Sequence, residues 1–288
     1  MSTEQSRRQF FTTAGSSIGA VALLGLPPSH PSRAALSMLA QTTAEVSDRF
    51  PRQDDDAVAE MVTVAHFNFE RAKELVSARP ALAKACWDWG YGDWESALGA
   101  ASHTGRRDIA ELLLEHGARP NLFTFVMFGK VEAVQQILRA VPGLQRVPGP
   151  HGITLLQHAK NRLARPELSA PERADLETIA TFLESLGDAD LKPKTIELSE
   201  SDAAAYTGEY VFGDNENDRL IVEFNRQGNL AIKRKGQSGR VLHAIEPYTF
   251  SPAGAPAVRI HFDMQNGRAS ILTVHDPMPL VKAVRAGG

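Results

Sequence analysis

The sequence predicts a multidomain chain of mixed class, α plus β: a helical solenoid followed by an antiparallel β-meander that curls toward a barrel. Three observations predict it. Between residues 96 and 121 apolar residues recur at helical spacing, punctuated by Gly105 and Gly117. Beyond Gly187 the apolar period switches to two. A polar stretch at 188–194, with Pro193, separates the two patterns.

The helical elements follow in order. Ala65, Phe69, Ala72, Leu75 and Val76 share one helical face and predict a first pair. Ser96 caps the next helix by offering its hydroxyl to a free backbone N–H. Ala100 and Ala101 are small and let a neighbouring helix approach. Gly105 makes a turn, and Ile109, Leu112 and Leu113 then line a second helix. Gly117 suits the left-handed position that ends it. Residues 125–138 repeat the turn glycine, at Gly129, and the second helix. Residues 152–159 and 177–186 predict a further pair, stopped by Gly187.

Residues 96–121 resemble an ankyrin repeat, and Gly152-Ile-Thr-Leu-Leu-Gln-His-Ala159 resembles that family's opening motif, with Leu155 for its proline and Gln157 for its histidine. The spacing from Gly105 to Gly129 is shorter than the usual period of about 33. The resemblance implies an ankyrin-repeat domain over 55–190 and a surface that binds an unidentified protein partner. All three tryptophans fall in Trp87-Asp-Trp89-Gly-Tyr91-Gly-Asp93-Trp94, where ankyrin proteins project a β-turn finger. The implied partner surface is Trp89, Tyr91, Asp93, Ser102 and His103. The same rings also suit a second role, closing the apolar end of a short stack.

The β-segment covers 196–286. Leu220, Val222 and Phe224 alternate with Ile221 and Glu223; Val258, Ile260 and Phe262 alternate with Arg259 and His261. Asn266-Gly267 is a hairpin signal. About seven short strands are expected. Tyr206-Thr-Gly208-Glu-Tyr210 and Phe262-Asp with Asn266-Gly-Arg268 resemble the lipocalin-like module that follows exported serine-hydrolase-type enzymes. That resemblance implies a fold and no activity.

Ser6-Arg7-Arg8-Gln9-Phe10-Phe11 resembles the twin-arginine export motif, with Arg7, Arg8 and Phe10 as its recognition residues. A modest apolar run follows, too short and weak for a permanent span. The expected organisation is a signal peptide at 1–34, a linker at 35–54 and a periplasmic or secreted protein without a membrane span.

A net charge of −3 argues against a general nucleic-acid binder. The lone Cys86 forms no internal disulfide and is expected in the core. Beyond the expected signal peptide no Gly-x-Ser-x-Gly nucleophile elbow is present, and no His-Glu-x-x-His pair or phosphate loop. Among nine histidines, His103 and His116 fall at positions expected to be exposed, and His243, His261 and His275 lie on different strands. Metal binding by the strand histidines is weighed against solvated or core histidines, and the second is preferred. Asp214 to Asp218 resembles the start of a calcium loop but lacks its glycine and distant glutamate. The expected function is therefore non-enzymatic partner binding, with no catalytic residue, cofactor or metal. The alternative is a small-ligand binder or enzyme with its pocket in the β-domain or at the interface between domains.

Overall fold

Capping side chains start seven of the nine α-helices among the described residues, and they set where those elements begin. The structure, a computed structural model, describes residues 50–191, 194–235 and 237–287. Asp54 opens α1 (Asp55–Val64) by accepting the N–H groups of Asp56 and Ala57. Asn68 does the same for α2 (Phe69–Ala78). A two-stranded finger follows, β1 (Cys86–Asp88) against β2 (Trp94–Ser96). Ser96 caps α3 (Ala97–His103), its Oγ accepting Gly99 N–H at 2.9 Å. Gly105 turns the chain at φ 68° into α4 (Arg107–Glu115), which ends on Gly117 at φ 84°. Next come α5 (Leu122–Met127), α6 (Val131–Ala140), α7 (Leu155–Leu163) and α8 (Ala170–Ser185). Reciprocal capping boxes start α5, between Asn121 and Thr124, and α8, between Ser169 and Glu172.

The expected ankyrin solenoid is corrected here. A solenoid stacks one unit on a continuous core. In this chain α3 and α4 have 7 and 9 residues, α5 and α6 have 6 and 10, and α7 and α8 have 9 and 16. Among the described residues a β-finger occurs once, before α3. The buried apolar residues divide into two clusters: one around Met61, Leu98, Ile109 and Leu113, the other around Val134, Leu155, Ile179 and Leu183. Unequal helices and divided cores leave no repeating unit to propagate. Local glycine and cap signals survive in such a chain, and those signals alone carried the resemblance.

The dominant architecture is a closed eight-stranded antiparallel barrel. A short helix, α9 (Glu200–Ala204), precedes it. Its strands are β3 (Gly208–Val211), β4 (Arg219–Phe224), β5 (Leu230–Arg234), β6 (Arg240–Glu246), β7 (Thr249–Pro252), β8 (Arg259–Gln265), β9 (Arg268–Asp276) and β10 (Met278–Arg285). Each pairs with its neighbour in sequence, and β10 closes on β3 through Val284 opposite Val211. Closure removes the free edges that an open meander would expose. Asn266 and Gly267, at φ 51° and 76°, form the two-residue turn between β8 and β9. Tyr210, Phe250 and Phe262 fill the interior edge to face, and Tyr210 donates its hydroxyl proton to Tyr206 O at 2.6 Å. The barrel axis is thus packed side chain, not a ligand channel.

Helices and barrel belong to one compact unit, Arg49–Gly288. The finger lies between them: Trp87 and Trp89 pack on the first helical cluster and Tyr91 packs on the barrel cluster. Cys86, expected in the core, is exposed beside Trp87 and Trp94, because β1 turns it outward. No helix among the described residues is long and apolar enough to cross a membrane. Arg7, Arg8 and Phe10, with the rest of the expected export signal, lie outside the described residues.

Candidate metal centre

Four residues from four separate elements bring their side-chain tips together beneath the finger. Strand β2 alternates, so Trp94 faces solvent and Glu95 faces inward with no exposed side-chain area. His103 is the last residue of α3, one face of which is buried throughout. His66 lies just past α1, where its Nδ1 donates to the free carbonyl of Val62 at 2.9 Å. His151 sits in the turn before α7 at φ 60°, a strained position for a residue with a Cβ. The ligating atoms of His66, Glu95, His103 and His151 all lie within 4.8 Å of one another.

Glu95 is the hub. Its Oε1 is 2.9 Å from His103 Nε2, and its Oε2 is 3.2 Å from His151 Nε2 and 3.3 Å from His66 Nε2. Trp89 Nε1 donates to Oε2 at 2.7 Å. A carbonyl oxygen only accepts, so His66 carries a proton on Nδ1 and turns Nε2 to the centre. Asp93 does the same for His151. Its Oδ2 lies 2.8 Å from Nδ1, which Arg240 Nη1 also approaches at 3.1 Å, and its Oδ1 accepts the backbone N–H at 2.9 Å. The second bond pins the strained turn.

The barrel completes this outer layer. Arg240, at the start of β6, sets Nη2 2.9 Å from Asp93 Oδ2. Gly254 lies in the connection after β7, at φ +83°. A Cβ there would stand 2.6 Å from Asp93 Oδ2 and 3.1 Å from His151 Cα, so only glycine lets the barrel close over this pair.

Charge follows from the packing. Burial opposes ionisation of Glu95, but the rings of His103, His151 and His66 outweigh it and hold the carboxyl well below the usual carboxylate range. Burial also opposes the charged form of His151, yet the Asp93 and Glu95 carboxylates push it up to about 9. His66 is raised in the same way: burial disfavours its charge, and Glu95 prevails. Asp93 is held low by His151 and Arg240 against its own burial. His158, behind His103 and against the Phe123 ring, is pushed down to about 4 by burial.

These donors suit a divalent transition ion. Three imidazoles and one carboxylate match the preferences of zinc and its neighbours. Each outer ring nitrogen that has a partner donates to a carbonyl or a carboxylate, the arrangement that orients metal-bound histidine. The Glu95 oxygens stand 2.9–3.3 Å from the three Nε2 atoms, and the four ligating atoms lie within 4.8 Å of one another, close to the span of donors placed ~2.1 Å from one ion.

No family model, no curated protein and no solved structure matches this chain.

The expected partner surface changes character on this geometry. Asp93, Ser102 and His103 are buried, where a docking protein does not reach them. Ser102 Oγ donates to Leu98 O within its own helix. Trp89 and Tyr91 are half-buried, each against a core. The finger's exposed ring is Trp94. His103, expected at the surface, is enclosed because α3 is buried between its neighbours. Four residues that could ligate one ion, His66, Glu95, His103 and His151, converge in the same place, where the sequence led to no expected metal ligand. The strand histidines His243, His261 and His275 take no part in the cluster. A hollow of about 430 Å³ opens at the barrel mouth near Tyr206, Tyr248 and Phe250, but its carboxylates, Asp202 and Glu246, are exposed. The converging buried polar groups lie at the seam between helices and barrel instead.

Sequence reasoning missed His66, Glu95 and His151. Two signals stood in the sequence. Glu95 stands between Trp94 and the helix cap Ser96, and His151 sits in Gly-Pro-His-Gly. Neither has metal-ligand spacing, because each ligand comes from a different element.

Proposed function

We propose that this protein binds one divalent transition-metal ion of the zinc class through His66, Glu95, His103 and His151, and that the ion locks the helical section to the barrel. The observation that carries the reading is Glu95: a fully buried carboxylate facing three imidazole nitrogens that share no other partner at the centre. Burying so many ionisable groups is costly unless something pairs them. An ion bound between them repays that cost, and the layer of Asp93, Trp89 and Val62 O holds the ligands in place for it. The lock follows from continuity: ion, His151, Asp93 and Arg240 form a chain from the helices into β6.

The twin-arginine-like segment around Arg7 and Arg8 supports export by a route that carries folded proteins. On this reading the ion is acquired before export, and the protein works in the periplasm or outside the cell.

The test is zinc titration of the metal-stripped protein by calorimetry, with elemental analysis of the product. The expected result is one ion per chain, lost in His103→Ala and Glu95→Gln. Unchanged stoichiometry in both variants sinks the assignment.

A further inference from the structure

The four ligands are not equally enclosed. Glu95 and His103 have 0% and 8% of their side-chain area exposed, whereas His66 and His151 have 20% and 25%. The centre is therefore most enclosed on the β2 and α3 side and least enclosed on the side of His66 and His151. Structural zinc sites are closed all round, while catalytic sites keep a position for water or substrate.

Charge points the same way. Asp93 and Arg240 form a pair that cancels. A divalent ion with the single carboxylate of Glu95 and three neutral imidazoles then leaves one positive charge in a largely buried place. Such a charge is costly to leave without a counter-ion. The rim restricts what arrives: the Trp89 ring stands 6.1 Å from both the His66 and the His151 rings, and the two imidazoles stack 6.0 Å apart.

We propose that the metal centre keeps one exchangeable position, on the His66–His151 side, that takes a small monoanion with an oxygen or nitrogen donor, such as a carboxylate or hydroxide. The proposal rests on the metal reading above and adds a ligand class to it. It makes the ion a Lewis acid accessible from solvent, and not only a fastener.

Cobalt(II) is the probe, because its visible spectrum reports coordination number and it accepts zinc's ligands. The full chain is stripped, loaded with one equivalent of cobalt and titrated separately with azide and with acetate. The expected result is a saturable spectral change with either anion, with one anion bound per cobalt and no loss of the metal. Stoichiometric cobalt binding whose spectrum ignores both anions overturns the exchangeable position and leaves the metal reading standing. Failure to bind cobalt or zinc overturns both. A spectral change that persists in Glu95→Gln shows that the cobalt sits elsewhere, and also counts against the proposal.

Discussion

Glu95 Oε1 and His103 Nε2 lie 2.9 Å apart, both fully buried, and yet neither makes a hydrogen bond. The Nε2 atoms of His66 and His151 converge on the other oxygen of the same carboxylate, so three rings surround one buried acid. In the metal-free protein Glu95 faces all three rings and, with Asp93 at His151, offsets the charge they carry. Glu95→Gln should therefore destabilise the stripped protein by about 3–5 kcal/mol, the cost of leaving buried charge unpaired. Chemical denaturation in the presence of a chelator measures this. A midpoint equal to that of the parent protein would show that the rings are not charged around Glu95.

Asp93 touches no ion but holds His151 at both its ring and its backbone. Asp93→Asn keeps the shape and weakens that hold. Metal affinity should fall about 10–100-fold with stoichiometry unchanged, as for other outer-layer partners of ligating histidines. Competition with a chromophoric chelator reads the constant. A loss of stoichiometry instead would make Asp93 itself a ligand.

The local elements were legible and the site was not, for one physical reason. Ser96, Gly105 and Gly117 act within a few residues of themselves, so cap and turn chemistry marks the α3–α4 hairpin directly. The alternation at Leu220, Val222 and Ile260, Phe262 likewise faces one barrel interior. Repetition was misread, because resemblance in one hairpin does not make its neighbours equal in length. The residues of the proposed metal centre come from the end of α1, from β2, from the end of α3 and from the turn before α7. Their spacing in sequence is set by how those elements pack, and no pattern of short period records it. In the tryptophan-rich finger Trp87 and Trp89 pack on the helical core, Tyr91 packs on the barrel core and Trp94 stays exposed.

Gly254 offers a test of the seam. Gly254→Ala meets both a left-handed backbone and a 2.6 Å contact with Asp93. Gly228→Ala, at φ +78° with open space around it, meets only the first. The control should lose about 1 kcal/mol. Gly254→Ala should lose clearly more and should bind zinc more weakly, since Asp93 must move. Equal losses in both variants would detach the barrel from the metal centre.

The helical core has its own test. Leu113 is fully buried in the first cluster, whereas Leu112 is only packed against that cluster's edge. Leu113→Ala should cost about 2–5 kcal/mol by leaving a cavity, and Leu112→Ala distinctly less. Urea unfolding followed by far-UV circular dichroism separates them. The reverse order would mean that α4 is rotated about its axis.

The histidines make opposite demands on pH. His158 has no exposed area; its Nδ1 donates to Thr154 O at 2.8 Å and its Nε2 has no partner. Burial pushes it down to about 4 from an ordinary value near 6.5. Above pH 6.5 it is neutral folded or unfolded and makes no difference. As pH falls from 6.5 toward 4 the unfolded chain takes up a proton that the folded one refuses, so stability declines, by roughly 3 kcal/mol in all. His151 is raised to about 9, so its contribution is full below pH 6.5 and is lost as pH climbs through 9. The stripped protein should thus lose stability on both sides of a maximum near pH 6–7. His158→Gln should flatten the acid side, and His151→Gln the alkaline side. Zinc should flatten the alkaline side too, because the ion replaces the proton on His151 and binds better as protons leave. Denaturation midpoints from pH 4 to 9, with and without zinc, decide it. An acid limb that is equally steep in His158→Gln would show that the ring is protonated in the folded state or reached by water.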